Sequence, residues 1–166
     1  IRYNNVKVLY PKSVMFVANE YVREGELSQV SSFPNSIQFD FEQRLISFLA
    51  KKFTKVFYKK HPGGVFNKKS ISFFPPNIEV IEKPFEEVLN FSETFIFGHS
   101  RTTTFGSVLS LNKKVILCLG DWEYFEDSIF DELKKQIYLI NYTEKNNRLF
   151  VNLDELDFIL DSNESK

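Results

Sequence analysis

The chain has 166 residues, the size of one ordinary domain, and 43% of them are hydrophobic, enough to build a core. Its 21 basic and 22 acidic side chains nearly cancel, so the formal net charge is -1 and nothing draws the whole surface toward nucleic acid or anionic lipid. No apolar run approaches the ~20 residues that cross a membrane, no signal-peptide pattern opens the chain, and the lone cysteine, Cys118, permits no intrachain disulfide and suits a reducing compartment. The sequence begins at Ile1, as a fragment of a longer chain would.

Ser13–Ala18 (SVMFVA) reads as a first strand, and Asn19–Gly25 as the loop after it. Ser31–Ser36 is a turn-rich connector. Ile37–Phe53 has helical spacing, with Phe41, Leu45, Phe48 and Leu49 on one face. Asp40 and Glu42 fall early, and Lys51 and Lys52 late, as the helix dipole favours. Lys55–Tyr58 is a short strand broken by His61–Gly64, and Phe66–Asn77 reads as a loop. Ile78–Ile81 is a strand, and Pro84 opens a helix Pro84–Asn90. Thr94–Gly98 is a strand, Thr102–Leu111 a helix and Val115–Gly120 a strand. Ser128-x-x-Asp131 resembles a capping box for a helix to Lys135. Gln136–Asn141 is a further strand. Asn152 or Asp154 caps a last helix through Leu160, and Asp161–Lys166 is a polar tail. Strands alternating with helices predict one doubly wound, Rossmann-like α/β domain over residues 1–160, with a mostly parallel sheet and right-handed crossovers.

In such a sheet, ligands bind beyond the carboxyl ends of the strands. Two polar clusters fall there. In the first, Pro62 ends a strand and pushes His61 toward extended backbone, so the ring can project and donate to a phosphate oxygen. Gly63 and Gly64 allow a sharp turn, and Lys59 adds charge. A solvated turn fits the same residues. The second is Gly98-His99-Ser100-Arg101-Thr102-Thr103-Thr104. Orphan amides at a helix start bind anions, and hydroxyls add donors. Plain capping by Ser100 or Thr102 uses the same geometry. Arg101 either clamps a phosphate or is a surface charge. Glu20 and Asp121 are the acidic residues at the expected edge; Asp121-Trp122-Glu123 either touches a ligand or begins a loop. With only His61, His99 and Cys118 to draw on, metal-ligand spacing is absent. No GxGxxG, GxxxxGK[ST] or GxSxG motif is present.

Lys59-x-His61-Pro62 after a strand, Ser100-x-Thr102-Thr103 at a strand–helix junction, and Lys113-x-Val115-Ile116 together resemble the carboxy-terminal half of GT-B glycosyltransferases. The likeness is to bacterial capsule and surface-polysaccharide enzymes of the sialyltransferase and polysialyltransferase-like groups. It spans roughly Ser13–Asn141. The resemblance implies a domain that holds a CMP- or UDP-activated sugar as substrate, with no separate cofactor. His61, Pro62, Ser100, Thr102 and Thr103 would meet the nucleotide and its phosphate, with Lys59, Gly63 and Arg101 in support. It also implies a glycan acceptor and a cytoplasmic location, peripheral to the inner face of the membrane. The glutamate of the family pattern aligns with Ser107, which has no carboxylate for ribose hydroxyls. The glycine and proline of G-K-P-V-I align with Asn112 and Lys114. A GT-B enzyme uses two such domains, so an amino-terminal domain or partner chain would supply the base; Glu20 is the acidic candidate here. The alternative is a non-catalytic α/β interaction module derived from such a domain, exposing an apolar docking patch. A flavodoxin- or receiver-like domain ranks below both, since Asn19-Glu20 is thin for a receiver's acidic cluster.

Overall fold

The computed structural model describes residues 7–21, 33–62, 73–120 and 125–162. Seven strands are present among them: β1 (Ser13–Val17), β2 (Lys55–Lys59), β3 (Ile78–Ile81), β4 (Thr94–Phe97), β5 (Lys114–Gly120), β6 (Tyr138–Lys145) and β7 (Arg148–Val151). They form one sheet in the order β3-β2-β1-β4-β5-β6-β7. Every pairing is parallel except the last, β6 with β7. The described helices are α1 (Asn35–Lys52), α2 (Thr103–Leu109), α3 (Asp127–Gln136) and α4 (Leu153–Asp161). This is the doubly wound order, and the direction in which strands are added reverses between β1 and β4.

The sequence builds two cores because consecutive strand residues point to opposite faces. Val14 and Phe16 of β1, Val56 and Tyr58 of β2, and Ile96 of β4 pack with Phe41, Leu45, Ile46 and Leu49 of α1 and Leu156 and Ile159 of α4. Met15, Val17, Phe57, Phe95 and Phe97 pack on the other face with Phe105 and Val108 of α2 and Leu133 of α3. The helices therefore change face where the direction of strand addition reverses, which one crossover hand requires. Strands buried on both faces explain the unbroken apolar runs SVMFV, TFIF and VILCL.

Several local readings shift. Pro84–Asn90 is not a helix; a single 3-10 turn, Phe85–Glu87, takes its place. Only Phe85 and Val88 are buried there, and one 3-10 turn satisfies an i, i+3 pair. Glu42 is not a first-turn acid. The helix starts at Asn35, its first turn holds no acidic residue, and Glu42 lies in its middle. The Ser128 capping box does not form, because α3 already begins at Asp127 with Glu126 before it and no side-chain cap. Gln136 belongs to α3 rather than to the strand, and β6 runs on to Lys145 because β7 pairs with it. Asn152 caps α4 through a 3.2 Å bond from the Glu155 amide. Gly63, Gly64, Asp121–Glu123, residues 163–166, and parts of the predicted loops after β1 and β2 lie outside the described residues. No described helix is long and apolar enough to cross a membrane.

Candidate functional site at the switch point

The sheet register decides which loops meet. Val17 stands directly beside Lys59 of β2 and beside Phe97 of β4. Three strands therefore end level, and the segments leaving them, Ala18–Tyr21, Lys60–Pro62 and Gly98–Arg101, emerge together. The two clusters, far apart in sequence, flank the end of β1 on either side.

The end of β1 is held by a buried carboxylate. Glu42 of α1 is fully buried and accepts from the Asn19 amide at 2.9 Å, the Tyr21 hydroxyl at 2.7 Å and the Tyr58 hydroxyl at 2.6 Å. Burial pushes the Glu42 carboxyl up to about 7, against the pull of its three donors. Burial, with the Glu42 charge beside them, also raises both phenols above their ordinary range. Glu42 thus ties α1, β1 and β2 together where the site begins.

Asn19 follows from this anchoring. It is 8% exposed, and its side-chain oxygen Oδ1 has no hydrogen-bond partner among the described residues. Its amide lies over Gly98: a β-carbon at that glycine would meet Asn19 Oδ1 at 2.9 Å. A side chain at 98 would displace Asn19, so glycine serves close approach here. The next residue, His99, is also 8% exposed, and its Nδ1 has no partner among the described residues. Burial, then the nearby charges of His61 and Arg101, hold His99 down at about 4, so the ring is neutral at physiological pH.

His61 is half-buried, with Nδ1 4.0 Å from Glu20 Oε1, so the acidic candidate and the His-Pro histidine face each other. Pro62 is exposed at the end of the segment. Lys59 is buried, its ammonium donates to the Lys60 carbonyl at 2.8 Å, and burial lowers its pKa. Thr102 is the cap of α2: its side chain accepts from the Thr104 amide at 3.4 Å and pairs with the Thr104 hydroxyl at 2.7 Å. Ser100 turns the chain into that cap, its carbonyl accepting from the Thr102 amide at 2.9 Å. Arg101 and Thr103 are exposed. Ser107 lies a turn further along α2 and lines a different cleft.

That cleft, about 940 Å³, opens at the amino end of the sheet, between the starts of β1, β4 and β5. Two of its three lysines are engaged: Lys113 donates to the Ser92 carbonyl at 3.0 Å, and Lys114 to the Ile159 carbonyl at 2.9 Å and the Ser162 carbonyl. These bonds close strand starts and the end of α4, a structural role.

The sequence places His99 in the second polar cluster, Asn19 beside Glu20 and Glu42 in a helix, but assigns none of the three a role in the site. A charged residue between Phe41 and Leu45 on an apolar helical face was the available signal for Glu42. Asn19 and His99 each lie just past a buried strand. No protein-family model matches the chain, and no curated protein sequence matches it. The fold and site define a doubly wound, Rossmann-like α/β domain with polar segments grouped at its topological switch point.

Proposed function

We propose that this domain binds the nucleotide of a CMP- or UDP-activated sugar and serves as the donor-binding half of a glycosyltransferase acting on a surface glycan. The observation that carries the reading is the register of β2, β1 and β4, which brings His61 and the Ser100–Thr103 turn to level strand ends on either side of β1. A leaving phosphate there would meet hydroxyl and amide donors of the turn, the His61 ring and the Arg101 charge. The catalytic base and the acceptor contacts belong to a second domain or partner chain. Titration calorimetry with CMP, CDP, UMP and UDP tests this: one of them binds, and His61→Ala weakens it at least about fivefold. Absence of binding at millimolar nucleotide, or binding indifferent to His61→Ala, overturns it.

The second reading, a non-catalytic interaction module, draws on the apolar side chains left in solvent near β7 and α4: Phe150, Leu153 and the 78% exposed Phe158. It predicts self-association or partner capture that Phe158→Ser abolishes, with no nucleotide binding.

A further inference from the structure

Two buried polar atoms at the switch point have no partner among the described residues: Asn19 Oδ1 past the end of β1 and His99 Nδ1 past the end of β4. Both side chains are more than nine-tenths buried. Buried polar groups are almost always hydrogen-bonded, and each exception calls for an explanation. Neither is a product of slack geometry. The Asn19 backbone amide is bonded to the buried Glu42 carboxylate, and its side-chain amide rests on Gly98, the residue before His99. The two therefore stand at neighbouring strand ends, each two residues past the paired Val17 and Phe97, at the point where strand order reverses and a doubly wound sheet takes its ligand.

The chemistry of the pair defines the ligand group. Asn19 Oδ1 accepts only. Burial first, and then the nearness of His61 and Arg101, keeps the His99 ring uncharged. A neutral acceptor beside a neutral imidazole suits hydroxyl groups rather than a phosphate. Ser107 supplies no carboxylate for such hydroxyls, and it faces the other end of the sheet. We infer that Asn19 and His99 form one uncharged subsite that hydrogen-bonds the ribose hydroxyls of the bound nucleotide, beside the phosphate-binding turn. The inference rests on the nucleotide-binding reading above and deepens it: sugar recognition comes from two strand ends instead of a carboxylate on α2.

The experiment compares CMP and UMP with their 2′,3′-dideoxy counterparts by calorimetry on the wild type, Asn19→Ala and His99→Phe. A site built to bond hydroxyls leaves buried groups unpaired when they are missing. The wild type therefore favours the ribonucleotide by about tenfold or more, and both variants bring that ratio close to one while binding the dideoxy form as before. A ratio that survives in both variants overturns the inference and leaves the nucleotide reading standing. Loss of all nucleotide binding by the wild type overturns both. Where a substitution compromises folding, the side-chain nitrogen spectrum of wild-type His99 decides: its Nδ1 resonance moves with the ribonucleotide and not with the dideoxy form. An Nδ1 signal that responds equally to both contradicts the subsite.

Discussion

At the scale of single residues, the switch point holds two titratable groups displaced in opposite senses. Glu42 has its carboxyl raised to about 7 in the folded chain, against 4.5 when exposed. Between those values the unfolded chain has lost the proton that the folded chain keeps, so stability is full below the lower value and falls as pH rises through the upper one. His99 is depressed to about 4 from 6.5. Its contribution is full above the unfolded value and is lost as pH falls toward the folded one. Each effect is on the order of 3 kcal/mol over its full window, and the two oppose one another between about pH 4.5 and 6.5. Urea unfolding across that interval separates them. Glu42→Gln leaves a protein that loses stability relative to the wild type on acidification, and His99→Gln one that gains it. Parallel profiles for all three would show that neither group titrates as its surroundings require. Glu42→Ala is harsher at every pH, because it strands the Asn19 amide and two phenols; a loss of about 3 kcal/mol or more is expected.

At the scale of elements, the β6–β7 hairpin shows what a sequence reader can and cannot see. Asn146 and Asn147 have φ of 54° and 56°, and the Asn147 amide donates to Glu144 Oε1 at 2.7 Å. Two successive left-handed residues form the tight turn that matches strand twist, and asparagine tolerates that conformation. Asn146→Val therefore costs about 1–2 kcal/mol in urea unfolding, while Asn147→Gly is neutral or stabilising; equal effects from both would contradict the turn geometry. The Asn-Asn pair was visible in the sequence, yet Arg148–Val151 was not read as a strand because it is short and its exposed face carries Arg148 and Phe150. The central strands were legible because burial on both faces writes an unbroken apolar run. Pro84–Asn90 misled because proline and two glutamates suit a helix start as well as a 3-10 turn, and only the shortness of the connection to β4 decides. The ends of β1, β2 and β4 were legible one at a time; that they lie level was not, since register belongs to the sheet. Asn19 and His99 needed tertiary information outright: only packing shows which polar atoms lose water without gaining a partner.

At the scale of the whole molecule, the two ends of the sheet make competing offers. The amino end has the 940 Å³ cleft, but Lys113 and Lys114 in it are spent on backbone carbonyls. The carboxyl end has the strand reversal, the His61–Glu20 pair, the hydroxyl-bearing turn and, among the described residues, the two unpartnered polar atoms of Asn19 and His99. Doubly wound sheets take ligands at the carboxyl end because the reversal of strand order opens a crevice there. The most direct test is an amide and histidine side-chain NMR map of the chain titrated with CMP and UMP. Binding at the switch point predicts shifts concentrated at Asn19, Glu20, His61 and Gly98–Thr103. Shifts confined to Ser13, Thr94, Ser107, Lys113 and Lys114, or none at millimolar nucleotide, would contradict it.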